Sequence, residues 1–183
     1  AQILNRLYFG EYFSNPERNS VRIFRIDLES TTLRLETAYV FPPRQIRHVH
    51  RIQRDPYTNE FWCMTGDLPN ECYILRTNDE FNSLDVVGGG DETWRCISPI
   101  FLENYIYYAT DSEIEPNGIY RIDRNTWRRE FICQIDGPVY YSALIGNDIF
   151  FAVAAEMCPS QRSPHASIWY LANRKQSQPR QIV

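Results

Sequence analysis

Short aromatic-rich runs that end in a carboxylate recur along this chain, and they constrain its fold more than any other feature. The runs end at Glu11, Asp67, Asp111 and Glu156. These carboxylates lie 56, 44 and 45 residues apart, and no helical periodicity lies between them. Such a repeat is typical of β-propellers, in which each blade is a four-stranded antiparallel sheet. The sequence therefore predicts an all-β propeller whose four carboxylates occupy equivalent positions around one axis.

The stretch from Trp94 to Asp136 has the content expected of one complete blade. Apolar and polar residues alternate with period two, which predicts strands, and the segments break at Gly, Pro, Asn or Asp, which predicts turns. The strands predicted in this blade are Arg95–Leu102, Tyr105–Thr110, Ile119–Asp123 and Arg128–Ile135. Strands predicted in neighbouring stretches include His48–Arg54, Val139–Ile145 and Ser167–Ala172. Residues 1–183 are thus predicted to form one propeller domain with blades at approximately 1–41, 47–91, 94–136 and 138–183.

The first blade is predicted to be incomplete, because only Ala1–Asn5 stands where its innermost strand should be. Four blades are also the small extreme for propellers, which typically have up to about eight. We therefore expect one of two arrangements. Either additional blades make the chain part of a larger propeller, or chains form a homo-oligomer that completes the ring.

The charge balance argues against nucleic acid as a partner. The chain carries 19 Lys and Arg against 23 Asp and Glu, a net charge of −4, whereas phosphate binding needs a clustered positive surface. No apolar run approaches the roughly 20 residues that a membrane-spanning helix needs, so no membrane insertion is predicted. Phosphate-binding and dinucleotide-binding motifs are absent from the sequence, and no cofactor is predicted.

The cysteines bear on the compartment. There are five, an odd number, and none forms a C-x-x-C pair, which favours free thiols in a reducing compartment. The first residues also lack the basic and apolar regions of a signal peptide. A cytoplasmic location is therefore slightly favoured, and a mature exported chain with one disulfide is the alternative.

Polar residues are predicted to gather at one edge of the blades. In an antiparallel blade, the end of the second strand lies at the same edge as the start of the first strand. In a propeller the first strands line the axial channel, and loops at one end form a funnel. The predicted ligand-binding candidates at this edge are Glu11, His48, His50, Asp67, Arg95, Asp111, Tyr140 and Glu156.

Such a ring of side chains suits a glycan or another small polar ligand. Carboxylates and arginine hold hydroxyl groups through charge-assisted hydrogen bonds, and tyrosine adds a flat apolar face with a polar tip. The alternative role for each carboxylate is structural, because an Asp or Glu at a strand end commonly accepts backbone N–H groups of a turn. Turn capping is the favoured interpretation for each carboxylate taken alone.

The pair His48 and His50 also suggests a metal site. Residues two apart on a strand face the same side, and two imidazoles with a nearby carboxylate suit zinc or manganese. The chain has only one further histidine, His165, in a Pro-rich loop. Hydrogen-bonded channel histidines are therefore the favoured interpretation, and no metal site is predicted.

A set of short motifs is familiar in combination: Arg47–His50, Asp55–Tyr57, Thr65–Asp67, Trp94–Arg95, Thr110–Ser112, Ile119–Asp123 and Asp136–Tyr141. Together they resemble bacterial propeller proteins of the sialidase-like, BNR/Asp-box superfamily. The resemblance spans about Leu7 to Glu156 and implies a propeller fold, and some members of this superfamily are linked to surface polysaccharide. An Asp box reads Ser-x-Asp-x-Gly-x-Thr-Trp, and Arg76–Phe81 begins in its place without the glycine. The arginine cluster, Tyr/Glu pair and acid/base Asp of a true sialidase do not stand out, so the resemblance implies fold more than activity.

Three functions are compatible with these patterns. The leading hypothesis is a binding or scaffold module that recognises a carbohydrate at the axial funnel. The alternative is a glycoside hydrolase or sialidase-like enzyme that uses a pair of the carboxylates. The third is a structural protein that assembles through blade edges, because an unpaired edge strand readily recruits another chain.

Overall fold

Four antiparallel sheets of four strands each make up the fold, which a computed structural model describes for residues 2–3, 5–172 and 178–183. Blades 1 and 2 consist of β1 (Gln2–Ile3), β2 (Arg6–Gly10), β3 (Val21–Asp27), β4 (Leu35–Phe41), β5 (His48–Arg54), β6 (Phe61–Gly66), β7 (Tyr73–Thr77) and β8 (Asp85–Gly89). Blades 3 and 4 consist of β9 (Ile100–Phe101), β10 (Tyr105–Ala109), β11 (Gly118–Asp123), β12 (Arg129–Gln134), β13 (Val139–Ile145), β14 (Asp148–Val153), β15 (Ser167–Ala172) and β16 (Arg180–Gln181). Strands pair in chain order within each blade, which confirms the predicted fold class. The innermost strand of the first blade is present only as the two-residue β1.

The chain forms two compact units, residues 1–95 and 96–183, and each unit has its own core between two blades. In unit 1 the core is made by Tyr8, Val21, Ile23, Phe41, Ile46, Val49, Ile52, Phe61, Cys63, Leu75 and Phe81. In unit 2 it is made by Ile100, Leu102, Tyr107, Ala109, Ile119, Ile135, Val139, Ile149, Phe151, Val153 and Leu171. Burial of these side chains supplies the main driving force for pairing the blades. That all of residues 1–183 act as one domain stays a prediction.

β-Bulges recur at equivalent places in the blades. The third and fourth strands shift register at Ile23/Phe24, Ile74/Leu75 and Ile119/Tyr120. The first and second strands shift register between Val49 and Arg51 in blade 2 and between Val139 and Tyr141 in blade 4. A bulge leaves one extra residue unpaired and re-aims its side chain. In these two blades the extra residues are His50 and Tyr140.

The prediction that the four carboxylates occupy equivalent positions was wrong. In blades 1, 2 and 3, the residue of the second strand that follows the last paired residue identifies equivalent positions. These residues are Glu11 opposite Arg22, Thr65 opposite Tyr73 and Thr110 opposite Gly118. At these positions the second-strand side chain accepts the third-strand N–H, over 2.7 Å at Glu11, 3.1 Å at Thr65 and 2.9 Å at Thr110. The repeated element is therefore a hydrogen-bond acceptor, which a threonine hydroxyl or a carboxylate can supply. Asp67, Asp111 and Glu156 lie after the equivalent acceptor position of their blades, each by a different number of residues.

The predicted strand Arg95–Leu102 is mostly absent. A 3₁₀ turn covers Glu92–Trp94, and Asp91 caps it by accepting the N–H of Thr93 over 2.8 Å. Only an isolated bridge between Cys96 and Thr110 and the two-residue strand β9 follow. The turn places Arg95 at the end of unit 1 instead of inside a first strand.

Two residues of the glycine run Gly88–Gly90, Gly88 and Gly89, lie in β8. A methyl group on Gly88 would lie 2.2 Å from the Trp94 ring, and one on Gly89 would lie 2.1 Å from the Tyr73 ring. Close ring packing therefore requires glycine at both positions. Only Gly90, with a φ of 96°, has the left-handed backbone of a turn.

All five cysteines are thiols outside disulfides, and Cys63, Cys72 and Cys96 are buried. Burial raises the pKa of Cys63, and it raises that of Cys72 to about 12. These two thiols therefore stay protonated and act as small apolar side chains. Within the described residues, no helix has the length and apolar character needed to cross a membrane.

The acceptor position predicts a specific loss of stability. The Thr110 hydroxyl accepts the Gly118 N–H and donates to Asn117 Oδ1 over 2.8 Å in a fully buried setting. Thr110→Val keeps the shape but leaves the Gly118 N–H without its acceptor, whereas Asn117 Oδ1 still accepts the Ser112 N–H. We therefore expect the free energy of unfolding to fall by about 1–3 kcal/mol. Urea denaturation measures this difference. Thr110→Ser keeps the hydroxyl and is the control, so equal stability of the two variants would contradict the assigned role.

Candidate functional site

Four polar side chains of unit 1 converge on the carboxylate of Asp67. We call this set the Asp67 cluster, and it comprises Arg47, His48, His50, Asp67 and Arg95. The cluster contains four of the predicted candidates, and Arg47 is an addition that those candidates did not include. Arg47 stood in a noted motif beside His48, and this adjacency was the one sequence signal for it.

Local backbone features bring the cluster together. His48 begins β5, and His50 is the extra residue of the bulge that follows. Asp67 comes directly after β6, at the end that pairs with the start of β5. Gly66 makes room for this approach, because a methyl group there would lie 2.6 Å from His50 Cε1.

Both oxygens of Asp67 are engaged. Arg47 Nη1 donates to Oδ2 over 2.7 Å. Arg95 Nη2 lies 3.2 Å from Oδ1, and Arg95 Nη1 donates to the Asp67 backbone carbonyl over 3.2 Å. Asp67 is thus clamped between two guanidinium groups, which form strong charge-assisted hydrogen bonds with carboxylates.

The contacts of the two histidines define their tautomers. His48 Nδ1 lies 3.1 Å from the Phe13 carbonyl and donates to it, and the other ring nitrogen of His48 is Nε2. That Nε2 lies 3.4 Å from Asp67 Oδ1 without an ordinary hydrogen bond. His50 donates from Nε2 to the same oxygen over 3.0 Å, which leaves its Nδ1 buried without a partner.

The charges in the cluster follow from these contacts. Burial alone would raise the pKa of Asp67, but interactions with His48 and His50 and the charge of Arg95 outweigh it. The pKa of Asp67 therefore lies well below its ordinary value, and the carboxylate is ionised at neutral pH. Burial lowers the pKa of His50 more strongly than Asp67 raises it, so His50 is neutral at pH 7.

An exposed tyrosine covers the cluster. The Tyr12 ring lies 4.2 Å from the His48 ring and 6.3 Å from the His50 ring, measured between centroids. Tyr12 is 71% exposed, whereas the side chains of His48 and His50 are 6% and 3% exposed. The arrangement is a buried polar floor beneath a solvent-facing aromatic ring. Tyr12 was not among the predicted candidates, although it directly follows Glu11.

The remaining predicted candidates have other surroundings. Glu11 accepts the Arg22 N–H over 2.7 Å and lies 3.6 Å from the Arg22 guanidinium, which is the kind of structural role given as its alternative. Asp111, Tyr140 and Glu156 belong to unit 2, where Asp111 is buried and the other two are half-buried. A ring that unites all eight candidates stays a prediction.

The cluster contains a donor set of the kind that holds metal ions. One ligand atom from each of His48, His50 and Asp67 lies within 4.8 Å of the others, and these ligand types suit zinc or manganese. A cation bound there would, however, face the guanidinium groups of Arg47 and Arg95, which already hold the carboxylate. Repulsion between like charges opposes that arrangement. The geometry fits an arginine-held carboxylate better than a metal centre.

Comparison with known proteins shows similarity of fold. No protein-family model matches this sequence, and no curated protein is significantly similar to it. A chain of the nidogen/laminin complex is 10% identical with a TM-score of 0.61, over 90% of this chain and 60% of that one. An oligogalacturonate lyase solved in complex with manganese is 13% identical with a TM-score of 0.56, over 90% of this chain and 42% of that one.

A second oligogalacturonate lyase, from Vibrio parahaemolyticus, is 10% identical with a TM-score of 0.54, over 88% of this chain and 42% of that one. The chain thus spans about 60% or less of the length of these proteins. The nidogen/laminin and lyase folds are of β-propeller type. The protein is therefore a β-propeller module by fold.

Removal of the central carboxylate is predicted to destabilise unit 1. Asp67→Asn leaves two buried histidines and the Arg95 guanidinium without their common ionised partner. We expect the free energy of unfolding to fall by about 2–4 kcal/mol, measured by urea denaturation. The exposed Asp85 serves as the control, and Asp85→Asn should change stability by less than about 0.5 kcal/mol. Equal losses in the two variants would contradict the central role of Asp67.

The lowered pKa of Asp67 predicts how this difference depends on pH. A carboxyl group whose folded pKa is lowered stabilises the fold above its unfolded pKa of about 3.9, and this contribution is lost as the pH falls below that value. We therefore expect the stability gap between wild type and Asp67→Asn to be largest near neutral pH and to shrink below about pH 4. Thermal unfolding followed by circular dichroism from pH 3 to pH 7 measures the gap, and a gap that widens in acid would contradict the assignment.

Proposed function

We propose that this β-propeller module binds an acidic carbohydrate, and that the Asp67 cluster with Tyr12 is its binding site. The observation that carries the proposal is the exposed Tyr12 ring, which lies tilted against the buried His48 ring at 4.2 Å between centroids, beside a carboxylate held by two arginines. Aromatic faces bind the apolar face of a sugar ring, and neighbouring polar groups select its substituents.

The free hydrogen-bonding capacity of the site favours a ligand rich in acceptors. Both Asp67 oxygens are already engaged, whereas arginine has five N–H donors and no acceptor. Arg47 Nε has no hydrogen-bond partner, and the Arg47 side chain is 34% exposed. A carboxylate on a sugar matches the geometry of such a guanidinium group.

Unpaired buried atoms support a ligand-binding role further. Arg47 Nε, His48 Nε2 and His50 Nδ1 are buried without hydrogen-bond partners, and all three belong to the cluster. Buried polar atoms are nearly always paired in native proteins, so a group of exceptions in one place needs an explanation. A bound ligand with its ordered water supplies partners for such atoms.

Binding suits the cluster better than hydrolysis does. A glycoside hydrolase needs one carboxyl group that stays protonated to act as a general acid. The pKa of Asp67 is held below its ordinary value, so Asp67 cannot fill that role. Glu11 already accepts the Arg22 N–H. We therefore place the hydrolase alternative second, together with the finer sialidase-like assignment.

The comparisons guide the choice of a first ligand. Two propellers of similar fold are by name lyases of oligogalacturonate, an oligomer of acidic sugars. At their low identity this likeness concerns the fold, so it suggests a class to test and assigns no activity. Galacturonate oligomers combine a carboxylate with an apolar ring face, the two features that Arg47 and Tyr12 match.

Isothermal titration calorimetry tests the proposal. We expect a galacturonate trimer to bind about tenfold or more tightly than a neutral galactose trimer, because a charge-assisted hydrogen bond contributes about 1.5–3 kcal/mol. Arg47→Ala should remove this preference, whereas Arg34→Ala at an exposed site outside the cluster should leave it intact. Equal binding of the acidic and neutral trimers, or no binding of either, would overturn the proposal.

The aromatic contribution is tested separately. Tyr12→Ala should weaken binding of both trimers by a similar factor of about ten, because stacking does not depend on the charge of the sugar. Tyr12→Phe keeps the ring and should bind nearly as the wild type does. Thermal unfolding confirms that each variant is folded, and unchanged affinity in Tyr12→Ala would contradict the role of the ring.

A further inference from the structure

Two blades each expose an apolar sheet face. On blade 1, Leu7, Phe9 and Leu35 are 37%, 39% and 56% exposed. On blade 4, Tyr141, Ile145 and Ile168 are 72%, 65% and 37% exposed. Contiguous exposed apolar surface of this kind commonly marks an interaction site. By contrast, every residue of β6 in blade 2 is buried.

The contacts inside the two units define two types of blade face. Blade 1 packs on blade 2 through Tyr8 and Ile23, and blade 3 packs on blade 4 through the equivalent Tyr107 and Ile119. We call this the forward face, because it covers the following blade. The strand registers make these residues equivalent, since Gly10 pairs with Ile23 and Ala109 pairs with Ile119.

The opposite face of each following blade completes these contacts. Blade 2 uses Phe61, Cys63 and Leu75, and blade 4 uses Ile149, Phe151 and Leu171. We call this the backward face, because it covers the preceding blade. Both units therefore join a forward face to a backward face at matching register positions.

The two exposed faces are of opposite type. On blade 1, Leu7 and Phe9 are equivalent to Phe61 and Cys63, so its exposed face is a backward face. On blade 4 the register pairs Tyr141 with Ala152 and Ala152 with Ile168. Ala152 is equivalent to Gly10 and Ala109, so the exposed face of blade 4 is a forward face.

We propose that a second copy of this chain is the partner of both faces, with the blade 4 forward face of one copy packed on the blade 1 backward face of the other. The chain itself carries both complementary types, and the contact continues the blade-to-blade packing already present in each unit. A pair of copies related by a two-fold axis makes this contact twice, so it satisfies all four exposed faces. Two copies together supply eight blades, within the usual range of propellers.

Mass measurement tests the association. Light scattering on the purified chain should give twice the 21.7 kDa mass of one copy at micromolar concentration. Phe9→Asp on blade 1 and Tyr141→Asp on blade 4 should each give monomers, because a charge buried in an apolar contact is costly. Leu35→Asp is a second blade 1 variant in case Phe9→Asp unfolds, and Leu33→Asp, in an exposed loop, is the control that should remain dimeric.

A mixing experiment identifies the head-to-tail geometry. Phe9→Asp keeps an intact blade 4 face and Tyr141→Asp keeps an intact blade 1 face, so an equimolar mixture should regain dimers through one contact. The double variant should stay monomeric. A monomeric wild-type chain, a dimer that survives both substitutions, or a mixture that fails to associate would each overturn the proposal. These outcomes do not depend on carbohydrate binding, since neither substituted residue belongs to the Asp67 cluster.

Discussion

A backbone hydrogen bond between blades 1 and 2 underlies the candidate site. The Val49 N–H donates to the Glu11 carbonyl over 2.9 Å, and this bond fixes the start of β5 against the end of β2. Tyr12 directly follows the acceptor, and His48 and His50 flank the donor. The backbone therefore places Tyr12, at the start of the loop after β2, next to the His48 ring that it contacts.

An equivalent hydrogen bond between blades occurs in unit 2, where the Val139 N–H donates to the Thr110 carbonyl over 3.0 Å. The bulge beside it recurs as well, with Tyr140 as the extra residue. The repeat thus builds a standard edge twice, with one inter-blade hydrogen bond and one re-aimed side chain. The residue in the bulge determines the chemical group that this edge presents. That group is the imidazole of His50 in blade 2 and the phenol of Tyr140 in blade 4.

Strand positions were predictable from sequence, because period-two alternation reports directly which residues face a core. The predicted strands His48–Arg54, Val139–Ile145 and Ser167–Ala172 have the same bounds in the structure. The prediction that the carboxylates are equivalent failed for a physical reason. The sequence does not reveal whether a carboxylate or a nearby hydroxyl, such as that of Thr65, accepts the last N–H of the strand pair. The bulge at His50 was missed although it does leave a trace, since the extra residue puts the core residues Val49 and Ile52 three positions apart and so breaks the period-two alternation.

A comparison of the bulges in blades 2 and 4 shows which features of the Asp67 cluster the fold requires. Blade 4 forms the same bulge around Tyr140 without an imidazole, so the backbone does not demand histidine at this position. A buried ion-pair cluster also adds little net stability compared with apolar packing of similar volume. Two histidines with unpaired nitrogens, of which His50 donates to Asp67 and His48 lies beside it against an exposed tyrosine, are therefore an addition that folding alone does not explain. For this reason the ligand site that we propose is the Asp67 cluster, and not the acceptor positions that the repeat needs for its own ladders.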